Sequence, residues 1–444
     1  MCGVACIGKI ACIGKIENMD RRELLKTTAA VAVGLVTAPF ISRGRFQLFA
    51  GSTQTYSTRC IDLVHRSLVI DMLSQFKLGA FPDVIPDHNQ PTARWWSHPE
   101  TFTAADLERY KESCINVFHI GWGTGRVQPY EDARKVLAAR DGFIGHFNHD
   151  FLRVARADDF IRLKRENKIG IILGFQGADH FRKIEDITEF YALGQRVSQL
   201  TYNMRNAIGS GYMDVDTGLT PFGIEVVSAM NHTGMAIDLS HCGPRTTADT
   251  CKLSARPVLF THANCRALNP HPRNKTDEAI KKMAATGGVM GITGVRLFVR
   301  ATEPVTIEHV LNHFDHVVKL VGVEHVGVGS DIDLDGYDKL PPALKRKMLT
   351  GYKSDQAANK TDQAVYKTDQ PLNKTDQPGQ KTDQPVNKTG LPVREEIRGE
   401  IDGLNHPQRM FDLTEGLIRR KYSDADIEKI LGGNFARALG QIWV

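Results

Sequence analysis

Two histidines stand at matching places at the ends of short apolar runs. His241 ends the stretch MAIDLSH, and His262 ends the stretch PVLFTH. Such runs are typical of buried β-strands, and neighbouring strands of a sheet lie about 4.8 Å apart. Two imidazoles on neighbouring strand ends can share one ion, each nitrogen lying about 2.0–2.1 Å from a zinc. The pair therefore predicts a zinc site, although either histidine alone would be better explained as a buried side chain bonded to backbone carbonyls.

Asp331 and Arg273 are further candidates for chemistry. Asp331 ends the apolar stretch HVGVGSD, where a carboxylate can ligate a metal or take a proton from a metal-bound water. A helix cap or a turn is its alternative role. Arg273, in NPHPRNKTDE, follows the His262 run after a short loop. A guanidinium there can bind a substrate carboxylate through two parallel hydrogen bonds, and a solvated loop arginine is the alternative.

Eight short apolar runs alternate with longer amphipathic stretches, which predicts repeated parallel βα units. The predicted strands are Ser67–Asp71, Ile115–Ile120, Ile169–Gln176, Val197–Tyr202, Met235–His241, Val258–His262, Gly288–Thr293 and His325–Asp331. Eight such units predict an α/β fold, a (β/α)8 barrel of the TIM type, with its functional groups at the carboxyl ends of the strands. The predicted strand ends are Asp71, His119, Gln176, Tyr202, His241, His262, Thr293 and Asp331.

Two of the intervening helices have ends that the sequence predicts. Pro221 is expected to open a helix that Gly234 closes, since proline suits the first helical turn and glycine suits the residue after the last. Ser423 and Asp426 have the spacing of a helix cap, and Gly432-Gly433 is expected to end that second helix.

The composition excludes several classes of protein. The 444 residues carry a formal net charge of +5, with 41% hydrophobic and 24% charged residues, values ordinary for a soluble globular protein. The modest charge gives no support for a nucleic-acid partner. The eight cysteines are scattered without a CxxC pair, which argues against both a disulfide scaffold and a zinc-finger protein.

Residues 1–50 are predicted to be a leader that directs export. Arg21-Arg22 precedes the uncharged apolar stretch Thr27–Ile41, which is too short to span a bilayer comfortably. The order RRELLK is similar to a twin-arginine signal, so we expect a periplasmic protein whose mature chain lacks a stable membrane span. Residues 51–444 are then the barrel domain.

Residues 353–389 are predicted to be a disordered insert within that domain. The segment KTDQ or its variants recurs every seven residues, but prolines interrupt the repeat and no apolar seam recurs. Side chains of this kind cannot bury enough surface to offset the entropy of ordering.

Five stretches together resemble the membrane (renal) dipeptidases, peptidase family M19, which are amidohydrolase-like barrels. They are IDLSHCG, PVLFTHANCRAL, HPRNKTDE, HVGVGSDIDLDG and RRKYSDADIEKILGGNFARAL. The resemblance runs from about Asp62 to Leu439 without the insert. It implies a (β/α)8 fold and a binuclear zinc site that hydrolyses dipeptides and tolerates a D-residue at the C-terminal side. Homodimers are common among such barrels, so the resemblance also makes a dimer possible.

The resemblance assigns roles to four of the candidates by position. His241 and His262 match the two histidines of the second zinc. Arg273 matches the arginine that binds the substrate carboxylate, and Asp331 matches the aspartate that handles the proton of the attacking water.

The residues of the first zinc site depart from the family. Leu73 and Gln75 stand where the family has a histidine and an aspartate, and Gln176 replaces the glutamate that bridges the two zincs. Tyr202 matches a histidine that polarises the scissile carbonyl, and its hydroxyl can still donate a hydrogen bond to the substrate. The chain therefore resembles a divergent member that lacks the first-zinc ligands.

Two functions compete on these observations. The first is an exported zinc hydrolase of the membrane dipeptidase type, which cleaves dipeptides or related small amides with one metal ion, Asp331 being the base. Gln176, Asp71 and His119 remain candidates for a further ligand. The second is a catalytically inactive barrel that binds a small peptide-like ligand. The replaced ligands favour the second function, whereas the retained Asp331 and histidine pair favour the first.

Overall fold

A computed structural model describes residues 44–48, 54–74, 76, 94–122, 128–334, 401 and 403–443. The paired arginines of the leader, Gln75 and the insert at 353–389 lie outside these residues, so the predictions about them stay predictions. The chain divides into two compact units, one ending at Asp62 and one beginning at Leu63. In the first unit, the two-residue strands Arg45–Phe46 and Tyr56–Ser57 pair antiparallel.

Eight parallel strands form the centre of the second unit. They are β1 Ile70–Asp71, β2 Val117–Trp122, β3 Ile169–Phe175, β4 Val197–Gln199, β5 Ala236–Asp238, β6 Leu259–Ala263, β7 Val289–Ile292 and β8 Val326–Val328. Each strand pairs with the next one along the chain. The Met72 amide donates to the Val328 carbonyl at 2.9 Å, which brings the end of β1 against β8 and nearly closes the barrel. The predicted (β/α)8 TIM-type barrel with eight parallel strands is confirmed, but most of the strands are shorter than the sequence predicts.

One strand of the second unit was not predicted. Phe151–Arg153 pairs in parallel with the first three residues of β3, whereas β4 pairs with the last two. Its three residues are too few to give a periodic apolar signal in the sequence.

Helices follow most of the barrel strands. The described helices are Thr58–Arg66, Arg94–Ser97, Ala104–Glu112, Pro129–His146, Asp158–Glu166, Ile184–Ala192, Pro221–Thr233, Pro244–Leu253, Asp277–Ala285, Arg296–Val299, Ile307–Val321, Arg409–Arg419, Asp424–Glu428 and Asn434–Ile442. Within the described segments, none of them is both long enough and apolar enough to cross a membrane.

The predicted helix ends are confirmed in one case and half confirmed in the other. Pro221 opens a helix that ends at Gly234, whose φ of 80° is the left-handed conformation that glycine adopts freely. Ser423 caps the second helix by accepting a hydrogen bond from the Asp426 amide. Gly432 does not end that helix, because a π-helical turn at 429–433 carries the chain into Asn434–Ile442.

The core lies where the strands begin. The first residues of six strands are buried together with apolar side chains of the last helix and of the residue that follows it. The cluster includes Ile70, Val117, Val197, Ala236, Leu259, Val289, Phe435, Leu439 and Trp443. Burying one such side chain contributes about 1.5–3 kcal/mol. The last helix thus covers the amino ends of the strands, and polar side chains gather at the carboxyl ends.

Candidate active site

The histidine pair stands at the ends of two neighbouring strands. Asp238 of β5 pairs with Leu259 of β6, His241 follows β5 by three residues, and His262 lies in β6. The Nε2 atoms of His241 and His262 lie 3.0 Å apart, and both side chains are buried. The structure therefore brings together the two histidines that the sequence singles out.

Hydrogen bonds on the far side of each ring determine where its proton sits. Thr261 Oγ1 lies 2.6 Å from Asp238 Oδ2 and 2.8 Å from His262 Nδ1. A carboxylate only accepts, so the hydroxyl donates to Asp238 and accepts from His262 Nδ1–H. His241 Nδ1 donates to Asn203 Oδ1 at 2.5 Å. Both Nε2 atoms consequently carry lone pairs, and these lone pairs point into the same space.

Two converging lone pairs are the arrangement that a metal cation satisfies. Nitrogens 3.0 Å apart, each about 2.05 Å from one ion, subtend an angle of about 95° at that ion, which is compatible with coordination by both. A proton is a poor substitute, because burial, reinforced by the charge of Arg273, holds the pKa of His241 and His262 well below the usual value. The pair thus fits a metal. Within the described segments, no three His, Cys, Asp or Glu side chains form a metal-binding group.

The Arg273 side chain links the two strand ends that carry His241 and His262. Its guanidinium donates through Nη1 to the Ser240 carbonyl and through Nη2, at 2.8 Å, to the His262 carbonyl. The side chain is 1% exposed, and burial lowers its pKa from the usual value. Its Nε has no hydrogen-bond partner among the described residues. A substrate carboxylate would therefore have to compete with backbone carbonyls, and the predicted clamp stays a prediction.

Asp331 and Tyr202 both lie near this group. Asp331 follows β8 by three residues with a left-handed φ of 54°, and its charge is close enough to raise the pKa of Arg273 against the effect of burial. The Tyr202 ring stacks on the His241 ring with centroids 4.4 Å apart, and the residue is 44% exposed. Tyr202 therefore reaches solvent beside the histidine pair, where a hydroxyl can meet a substrate.

Among the described residues, the positions of the first zinc site hold no charged side chain that is free to bind a metal. Leu73 is buried and apolar, and Gln176 Nε2 donates to the Gly121 carbonyl at 3.3 Å. Asp71 accepts from the Ser330 amide at 2.8 Å and from Arg409 Nη2 at 3.0 Å. Asp71 is therefore engaged in a buried ion pair.

His119 requires a correction. The sequence places it at a strand end, but β2 continues three residues further to Trp122, and the His119 side chain is buried. Its Nδ1 donates to the Met72 carbonyl at 2.5 Å, and its Nε2 lies against Gly174, where a Cβ would collide with it. In the sequence the apolar run stops at Ile120 because glycine follows it. In the structure β2 continues through Gly121 to Trp122, because both residues pair with β3.

Several residues that support the site escaped the sequence analysis. Asp238 and Thr261 orient His262, and Asn203 orients His241. Lys275 donates to the Leu239 carbonyl at 2.6 Å and to the Cys242 carbonyl at 2.9 Å, on either side of His241. The signal for Asp238 and Thr261 was present, since each is a polar residue inside an otherwise apolar run.

Comparisons with known proteins agree with this fold. A family model described as membrane dipeptidase (peptidase family M19) matches residues 96–348. An uncharacterized dipeptidase of Schizosaccharomyces pombe is 35% identical over 196 residues, which are 42% of this chain and 47% of that protein. The chain thus spans about half the length of that relative.

Two solved structures share the fold. An amidohydrolase from Pseudomonas aeruginosa matches with a TM-score of 0.64 and 23% identity, over 86% of this chain and 99% of that one. A metallopeptidase from Rhodobacter sphaeroides, liganded with a phosphinate mimic of L-Ala-D-Ala, matches with a TM-score of 0.58 and 18% identity, over 84% and 99%. Because the family model covers more than half of the sequence, the chain belongs to the membrane dipeptidase family, peptidase family M19.

Proposed function

We propose that this chain is a hydrolase of the membrane dipeptidase type that cleaves dipeptides or related small amides with one metal ion. Membership of a metallopeptidase family implies a metal, typically zinc. The observation that carries the proposal is the pair of Nε2 atoms, 3.0 Å apart, on the neighbouring strand ends of His241 and His262.

Each side chain of the site has a definite task in this reaction. His241 and His262 would hold the ion through Nε2, and zinc so bound lowers the pKa of a water molecule to about 7 and polarises a carbonyl. Asp331 takes the proton of the attacking water. The Tyr202 hydroxyl donates a hydrogen bond to the scissile carbonyl, and Arg273 binds the carboxylate of the substrate.

One ion, rather than two, follows from the first-site positions. Leu73 cannot ligate a metal, and Gln176 is neutral where two ions would need a bridging negative charge. Asp71 is already neutralised by Arg409. The metallopeptidase from Rhodobacter sphaeroides holds a mimic of L-Ala-D-Ala. A dipeptide ending in a D-residue is therefore the first substrate to try.

Metal content and hydrolysis together test the proposal. Protein purified without chelators should contain about one zinc per chain by mass spectrometry, and His241→Ala should contain almost none. His232→Ala is the matched control, because His232 is exposed on a helix and should leave the metal content unchanged. Hydrolysis of L-Ala-D-Ala should disappear in Asp331→Asn, which keeps the shape of the side chain and removes the base.

Two outcomes would contradict this function. Two tightly held ions per chain would show that the first site is formed by other residues. No bound ion after zinc is supplied, with dipeptide binding intact, would instead support the inactive barrel that binds a peptide-like ligand.

We also propose that the protein is exported to the periplasm by the twin-arginine route. Arg21-Arg22 in front of the apolar stretch Thr27–Ile41 supports this proposal. That route carries folded proteins, which suits an enzyme that must acquire its metal before export.

A further inference from the structure

A buried ion pair joins the first strand of the barrel to the helix Arg409–Arg419. Arg409 Nη2 lies 3.0 Å from Asp71 Oδ2, and the two side chains are 1% and 0% exposed. Asp71 ends β1, whereas Arg409 begins the helix Arg409–Arg419. Both residues lie outside the segment 96–348 that the family model matches.

The pair holds the backbone on both sides of Asp331. Ser330 donates to Asp71 through its amide at 2.8 Å and through its hydroxyl at 2.5 Å. Arg409 Nη1 donates to the Asp333 carbonyl at 3.2 Å. The chain is thus fixed one residue before Asp331 and two residues after it.

Asp331 itself needs such support. Its φ of 54° is left-handed, a conformation that is uncommon for residues other than glycine, although aspartate tolerates it better than most. Its amide donates to the Leu73 carbonyl at 2.8 Å, a bond that again joins the end of β8 to the end of β1. Asp71 can hold Ser330 only while its buried charge is compensated, since an unpaired buried carboxylate is strongly unfavourable. Arg409 supplies that compensation.

We propose that Arg409 is a positioning residue that acts through Asp71 and Ser330 to fix the conformation of Asp331. The inference rests on the proposed function, in which Asp331 takes the proton of the attacking water. It makes the helix Arg409–Arg419 a part of the structure that supports the active site.

Arg409→Met tests this role, and Arg437→Met is the matched control. Arg437 also donates to two backbone carbonyls, those of Gly287 and Glu324, but just before β7 and β8 rather than after them. In Arg409→Met we expect the amides of Ser330 and Asp331 to exchange hydrogen about tenfold faster or more. We expect kcat for L-Ala-D-Ala to fall about 10- to 100-fold with KM nearly unchanged, since a displaced base slows the chemical step. Arg437→Met should show neither change.

A second variant covers the case in which Arg409→Met does not fold. The double variant Asp71→Asn, Arg409→Met removes both buried charges and leaves an amide oxygen for Ser330. It should fold, with faster exchange around Asp331 and a low kcat.

Unchanged exchange at Ser330 and Asp331 in whichever of these variants folds would overturn the proposal. Equal loosening of β3 would also overturn it, because that result indicates a general loss of stability. If the unmodified protein hydrolyses no dipeptide, the proposed function fails. The exchange measurement then still decides whether Arg409 fixes Asp331.

Discussion

Replacing Asn203 by glycine should weaken zinc binding about 10- to 100-fold. Asn203 Oδ1 lies 2.5 Å from His241 Nδ1 and accepts a hydrogen bond from its N–H group. This bond keeps the lone pair on Nε2, facing His262. Removing the acceptor frees the ring to rotate and leaves a buried N–H group without a partner.

The magnitude follows from the burial of His241, which is 6% exposed. A buried donor that loses its partner costs about 1–3 kcal/mol, and about 1.4 kcal/mol corresponds to a tenfold change in a dissociation constant. Glycine is the correct replacement because Asn203 has a φ of 57°. Alanine would add about 1–2 kcal/mol of backbone strain to the lost hydrogen bond.

The assay is the zinc dissociation constant, measured by competition with a chromogenic chelator at constant neutral pH. Asn167→Gly is the control, because Asn167 is also left-handed, with a φ of 52°, but caps a helix. Asn203→Asp should bind zinc at least as tightly as the unmodified protein, since a carboxylate oxygen also accepts from Nδ1. Unchanged affinity in Asn203→Gly would refute the tautomer assigned to His241.

Three further predictions concern stability and export. Burial lowers the pKa of His313 to about 4. Between about pH 6.5 and pH 4, His313 is therefore protonated in the unfolded chain and neutral in the folded protein. The free energy of unfolding in urea should consequently fall by about 3 kcal/mol between pH 6.5 and 4 from this group, and a flat profile would contradict the assignment. Joining Tyr352 to Gly390 should leave the melting temperature almost unchanged, because each doubling of a flexible loop costs only about 0.6 kcal/mol; a large drop would show that the insert packs on the barrel. A reporter fused after residue 51 should reach the periplasm only with Arg21 and Arg22 intact, and export that survives their replacement by lysine would exclude the twin-arginine route.

The barrel could be predicted because its signals are local. Apolar runs that alternate with amphipathic stretches mark the eight strands, and the cap of the helix Pro221–Thr233 lies within a few residues of its ends. The neighbouring placement of His241 and His262 follows from the strand order alone. These features depend on residues that are close together in the sequence, so they can be predicted without the structure.

Gly432 and His119 show where local sequence patterns fail to predict the structure. Gly432 has the spacing of a helix terminator, but it lies inside a π-helical turn, and glycine is required there because a Cβ would collide with the Leu68 carbonyl. His119 has the place of a strand-end ligand, but β3 extends β2 beyond it. In both cases a neighbour that is distant in sequence determined the role of the residue.

Local patterns in the sequence were enough to predict the barrel, its eight main strands and the candidate residues His241, His262, Arg273, Asp331 and Tyr202. The folded chain was needed to show which nitrogen of each histidine carries the proton, and that Arg409 pairs with Asp71 across 338 residues of sequence. The difference arises from the distance along the chain over which each interaction acts. Backbone propensities and caps act over one or two turns, whereas the cost of a buried charge or of an unpaired ring nitrogen depends on every group that barrel closure brings within hydrogen-bond distance.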